Sequence, residues 1–127
     1  MTQNESVTDK MKQLRVALEA FVESNVEFLK RHKETTGKSY PSMYDVAPKY
    51  KPQLHSEAIW QDITLTARLC AGDAVDLVCW RVAELRHAGY EDVHPHLKVT
   101  YKDDGSVITH VQVRINDMIE DPTVILS

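Results

Sequence analysis

Between Gly72 and Gly89 the chain carries no helix breaker, and most of the intervening residues are apolar. Val75, Leu77, Val78, Cys79, Trp80, Val82, Ala83 and Leu85 cover most of a helical circumference. The clearest polar stripe is Asp73, Asp76, Glu84 and His87. A helix apolar on most sides belongs inside a core, so everything else must pack around this one. Gly72 reads as a turn residue. Asp73 stands where an N-cap belongs, because its carboxylate can accept from the free N–H groups of the first turn, and Gly89 supplies the stop. Ala74, just after the cap, therefore sits at the positive end of a buried helix dipole. That position favours a thiolate, yet here it holds a methyl group.

The length of 127 residues allows one domain with a real core. A net charge of −4 argues against nonspecific nucleic-acid binding. No apolar run reaches membrane-spanning length. The first residues, Met1 to Glu5, lack the basic-then-apolar layout of a signal peptide, which implies a chain not secreted by its own signal. Two cysteines, Cys70 and Cys79, read as free thiols in a reducing compartment.

Residues 1–7 read as a frayed leader. Ser6 or Thr8 caps a helix over residues 8–34, with the stripe Met11, Leu14, Leu18, Phe21, Val22, Phe28 and Leu29. Tyr40 to Gln53 holds three prolines and three tyrosines, so no long helix fits there. The segment is either a loop pinned to the core by its rings or the wall of a peptide groove. Ser56 is expected to cap a short helix from Glu57 to Asp62, with an extension toward Leu69. After the central helix, Val93–Tyr101 and Val107–Ile115 read as a hairpin, and Met118–Glu120 as a third short strand. The apolar tail 123–127 is expected to pack down. Helices first and a small antiparallel sheet last define an α+β fold.

Hairpin register decides which side chains share a face. A two-residue turn at Asp104-Gly105 would set Val99 opposite His110 and mix polar with apolar groups. A three-residue loop ending in a Gly105 bulge instead places Leu97, Val99 and Tyr101 beside Val107, Val111 and Val113. The opposite face then carries His96, Lys98, Ile108, His110, Gln112 and Arg114. The second register is expected, because it makes one face consistently apolar.

The run Gly72-Asp73-Ala74-Val75-Asp76-Leu77, followed by Trp80-Arg81-Val82-Ala83-Glu84-Leu85-Arg86 and Gly89, resembles the nucleophile motif of transglutaminase-like (papain-type) cysteine hydrolases, especially small versions from tailed phages and prophages. The likeness extends through Tyr44, Tyr50 and Trp60-Gln61-Asp62-Ile63, then His110-Val111-Gln112-Val113 and Ile119-Glu120-Asp121-Pro122, covering residues 40–127. It implies a compact transglutaminase-like domain with a Cys-His-Asp triad. Ala74 falls on the nucleophile position, His110 on the catalytic histidine and Asp121 on the acid that orients it. Gln61 or Trp60 is the expected second oxyanion donor beside the helix start, Asp76 a support, and Tyr44, Tyr50 and Trp80 the groove. Val75 departs from the pattern, which has an acid there.

Without a nucleophile the chain forms no acyl-enzyme at position 74. It is either a natural pseudoenzyme or carries an inactivating substitution. The resemblance implies amide or peptide hydrolysis rather than cross-linking, no cofactor, and a peptide or protein substrate that includes phage structural proteins. It also implies a place in the host cytoplasm or the virion. The competing class is a noncatalytic module that keeps the groove and binds a peptide or virion protein.

Cys79, well inside the helix, reads as core packing rather than a displaced nucleophile, and Cys70 precedes the helix. His94, His96 and His110 lack a cysteine or carboxylate that would complete a convincing metal site. His32, His55 and His87 read as surface residues.

Overall fold

The computed structural model describes residues 3–52 and 59–127. At its centre lies α4 (Ala74–His87), with Leu77, Val78, Cys79, Trp80, Val82, Ala83 and Leu85 all buried. Asp73 is its N-cap: the carboxylate accepts from Asp76 N at 3.0 Å, and Asp76 accepts from Asp73 N at 2.9 Å. This reciprocal capping box satisfies two backbone donors at once. Beyond His87 the chain leaves the helix, and Gly89 adopts φ +110°.

α1 (Gln3–Thr36) packs against α4. It begins at Gln3, so the expected leader over residues 1–7 is corrected to helix from Gln3 onward; Met1 and Thr2 lie outside the described residues. No proline or glycine interrupts the 34-residue segment, which is about 50 Å long at 1.5 Å per residue. Leu18, Val22, Val26 and Leu29 recur at helical spacing and are buried, with Asn25 among them. Arg86 of α4 clamps α1 by donating to both oxygens of Glu19, at 2.6 and 2.8 Å, and to Glu23. Its Nε also donates to the Val93 carbonyl at 2.9 Å.

The Tyr/Pro-rich stretch is more ordered than a plain loop. It contains α2 (Met43–Val46) and β1 (Lys49–Tyr50). β1 pairs in parallel with β2 (Ala71–Gly72), Tyr50 facing Gly72. The expected helix start at Ser56 lies outside the described residues. Ile59 to Asp62 are not helical, and α3 (Ile63–Leu69) is capped by Asp62, whose carboxylate accepts from Leu65 N.

The hairpin strands β3 (Val93–Tyr101) and β4 (Val107–Ile115) match their expected bounds. Leu97 faces Val111, Val99 faces Thr109 and Tyr101 faces Val107. Lys102 N donates to Ser106 O, and Gly105 takes φ +85° at the end of a three-residue loop. The apolar register thus prevails over the two-residue turn. β5 (Met118–Glu120) pairs antiparallel with β4, giving the order β3-β4-β5. Val93, Leu97, Val111 and Val113 are buried against the helical layer. α5 (Pro122–Ile125) follows, and the tail packs down only in part: Thr123 is buried and Leu126 touches the core, while Val124 and Ile125 are exposed. The fold is α+β, and no helix among the described residues is long and apolar enough to cross a membrane.

Candidate active site

The site begins at a close approach. Gly72 is a strand residue rather than a turn residue, and a Cβ there would stand 3.0 Å from Asp76 Cβ and 3.1 Å from Thr66 Cγ2. A side chain at this position would crowd the start of α4, so glycine suits the close approach of β2. Asp76 is buried, and its second oxygen accepts from Gln61 N at 2.7 Å. Burial pushes the Asp76 carboxyl well above the usual range; the N–H groups of Gln61 and Asp73 pull it down, and the Asp73 charge adds to the rise. Asp76 therefore ties the cap, the segment before α3 and the first turn of α4 together.

Ala74 is the first residue of α4 and lines a cavity of about 300 Å³. Tyr50, Asp73, Thr109 and His110 share its wall, with Leu14 and Leu18 of α1. Two sequence-predicted positions, Ala74 and His110, thus border one space, and of the three groove candidates Tyr50 joins them.

His110 Nε2 lies 2.8 Å from Asp121 Oδ2. Burial alone would raise the Asp121 carboxyl, but hydrogen bonds from His110, Thr123 and Gln112 outweigh it and hold the group at about 2. The carboxylate is saturated: Oδ1 accepts from Thr123 N at 3.0 Å and Thr123 Oγ1 at 2.7 Å, while Oδ2 also accepts from Gln112 Nε2 at 3.2 Å. An ionised partner only accepts, so Nε2 is the donor in this bond and Nδ1 is the ring nitrogen left for other partners.

Strand alternation puts His110 with Gln112 and Arg114, on the face opposite Val111 and Val113. β5 pairs with β4 only from Val113 to Ile115, so the β4 edge beside His110 has no β5 partner. The histidine stands at this open stretch, in reach of Asp121 and on the cavity border.

Several candidates fall elsewhere. The Gln61 amide donates to Ala71 O at 2.9 Å and Thr66 Oγ1 at 3.3 Å, so both its hydrogens are engaged in pinning the chain rather than free for an oxyanion. Trp60 packs its ring 5.6 Å from Phe21 of α1. Trp80, expected in the groove, is instead fully buried on the core side of α4 and cannot line one. Tyr44 is turned toward β5: its hydroxyl donates to Glu120 at 2.6 Å and its ring lies 4.7 Å from the Arg81 guanidinium. Burial pushes the Cys79 thiol well up, leaving it inert. Cys70, exposed at the end of α3, is not part of the cavity wall. His94 is held between Asp92 and Arg86, and no group of three or more metal-ligating side chains converges among the described residues.

One network escaped the sequence reading. Arg81 donates to Glu84 at 2.7 Å and to Glu120 at 2.8 Å. Glu84 in turn accepts from Ser42 Oγ and from Met43 N. The Trp-Arg-x-Ala-Glu-Leu-Arg run therefore fastens α2, β5 and α1 to α4. The i,i+3 spacing of Arg81 and Glu84 was its visible signal, but their distant partners were not. No family model, curated protein or solved structure matches the chain.

Proposed function

We propose that this chain is a transglutaminase-like domain with a papain-like core, of the cysteine hydrolase class, whose nucleophile position is filled by Ala74. The observation that carries the reading is one cavity bordered by the first residue of a capped, buried helix and by a histidine hydrogen-bonded to a fixed carboxylate. With cysteine at position 74, helix N–H groups would favour its thiolate. The thiolate attacks an amide carbonyl, and the oxyanion is met by backbone N–H groups at the helix start. His110 takes the thiol proton on Nδ1 and returns it to the leaving amine, while Asp121 fixes the ring. Water then releases the acyl group. The class of substrate is a peptide or isopeptide bond in a protein partner, including a phage structural protein, in the host cytoplasm or the virion.

As written the chain performs no such step, and the methyl group at 74 favours a second reading: a module that holds a peptide without cleaving it. Ala74→Cys separates them. Exposed to an activated N-acetyl amino-acid ester, it gains the acyl mass at position 74 by intact-mass and fragment spectrometry, and the gain is lost in the Asp121→Ala background. Acylation confined to Cys70, with none at position 74, would sink the enzymatic reading.

A further inference from the structure

The cavity beside Ala74 is lined by two kinds of group: Asp73, Thr109 and His110 are polar, whereas Leu14, Leu18, Leu97 and Val111 are aliphatic. Two of those four come from α1, outside the stretch that carries the family resemblance. Leu18 is buried in the core, whereas Leu14 packs against that core but is only half-buried, leaving part of its side chain on the cavity. At about 300 Å³ the space lies at the low end for a small-molecule site and holds one side chain with its flanking amide, not an extended ligand. A group that fits must therefore meet polar and aliphatic walls together, as an amide carrying an aliphatic side chain does.

We infer that α1 supplies a specificity subsite next to position 74, in which Leu14 and Leu18 select a branched aliphatic side chain on the residue whose carbonyl faces Ala74. The inference rests on the cavity reading above and extends it to the substrate. An acidic side chain would lose its water against the four aliphatic walls without gaining a cation, since neither Lys nor Arg lines the cavity among the described residues.

The chain as it exists suits the test, because Ala74 prevents turnover. Amide shifts in 15N-labelled protein are followed while N-acetyl-leucinamide, N-acetyl-aspartate amide or N-acetyl-lysinamide is added. The leucine compound is expected to move Leu18, Ala74 and Val111, and to bind at least about tenfold more tightly than the charged ones. Leu14→Asp is expected to remove that preference and Leu14→Ala to weaken it severalfold, so the second variant still reports if the first does not fold. Equal binding of all three compounds, shifts centred elsewhere, no binding, or an unchanged preference in Leu14→Ala would each overturn the subsite. Failure of the acylation chemistry is a separate result: the subsite stands if binding holds while a cysteine at 74 stays unreactive.

Discussion

At the residue scale, the start of α4 depends on a few atoms with no spare partners. Asp76 accepts from two backbone N–H groups, one through each oxygen. Asp76→Asn replaces one acceptor with a donor and leaves a buried N–H unpaired. A loss of about 1–3 kcal/mol in urea denaturation is expected, together with faster exchange at the Gln61 or Asp73 amide. Gly72→Ala would bring a Cβ to 3.0 Å from Asp76 Cβ and 3.1 Å from Thr66 Cγ2, so these tightly held side chains must give by a few tenths of an ångström, and it too should destabilise, by about 1 kcal/mol. Asp121 gives a pH signature. Its folded-state value of about 2 lies below the ordinary carboxylate value of about 3.9, so its contribution is present above pH 4 and is lost as pH falls toward 2. The difference corresponds to about 2–3 kcal/mol. Asp121→Asn should flatten the acid limb of the stability curve over that interval; an unchanged limb would show that the carboxylate is not held as described.

At the element scale, Arg81 joins three segments. Its two partners, Glu84 and Glu120, are mostly buried. Arg81→Ala leaves both carboxylates facing each other without a cation. An expected cost of about 3 kcal/mol should appear in denaturation, with loss of protection at the Met43 amide, which is bonded to Glu84. The elements themselves were largely legible. α4 shows because its cap, apolar circumference and stop residue agree, and the hairpin because only one register gathers Leu97, Val111 and Val113 on one face. The β1–β2 bridge was not legible, since two residues of parallel pairing leave no periodicity. The groove residues were misread for a different reason. Composition marks Tyr44 and Trp80 as aromatic anchors but says nothing of which way each turns, and burial and the Glu120 hydrogen bond decided that.

At the scale of the whole molecule, the two halves of the proposed site come from separate elements, the start of α4 at Ala74 in mid-chain and the β4–β5 region with His110 and Asp121. Sequence alone supplied the residue types, while the sheet brought His110 and Asp121 to 2.8 Å and the packing brought His110 to the border of Ala74's cavity. The central claim is that helix end and histidine serve one reacting centre. It is tested most directly by the rate of iodoacetamide labelling at position 74 in Ala74→Cys, measured from pH 5 to 9 with and without His110→Ala. A poised thiolate–imidazole pair predicts labelling that persists well below the ordinary thiol value of about 8.5 and reverts toward that value when the imidazole is removed. A profile that follows an ordinary thiol in both proteins would contradict the account: His110 would then belong to the outer face of the sheet alone, and the cavity would be a binding site without chemistry.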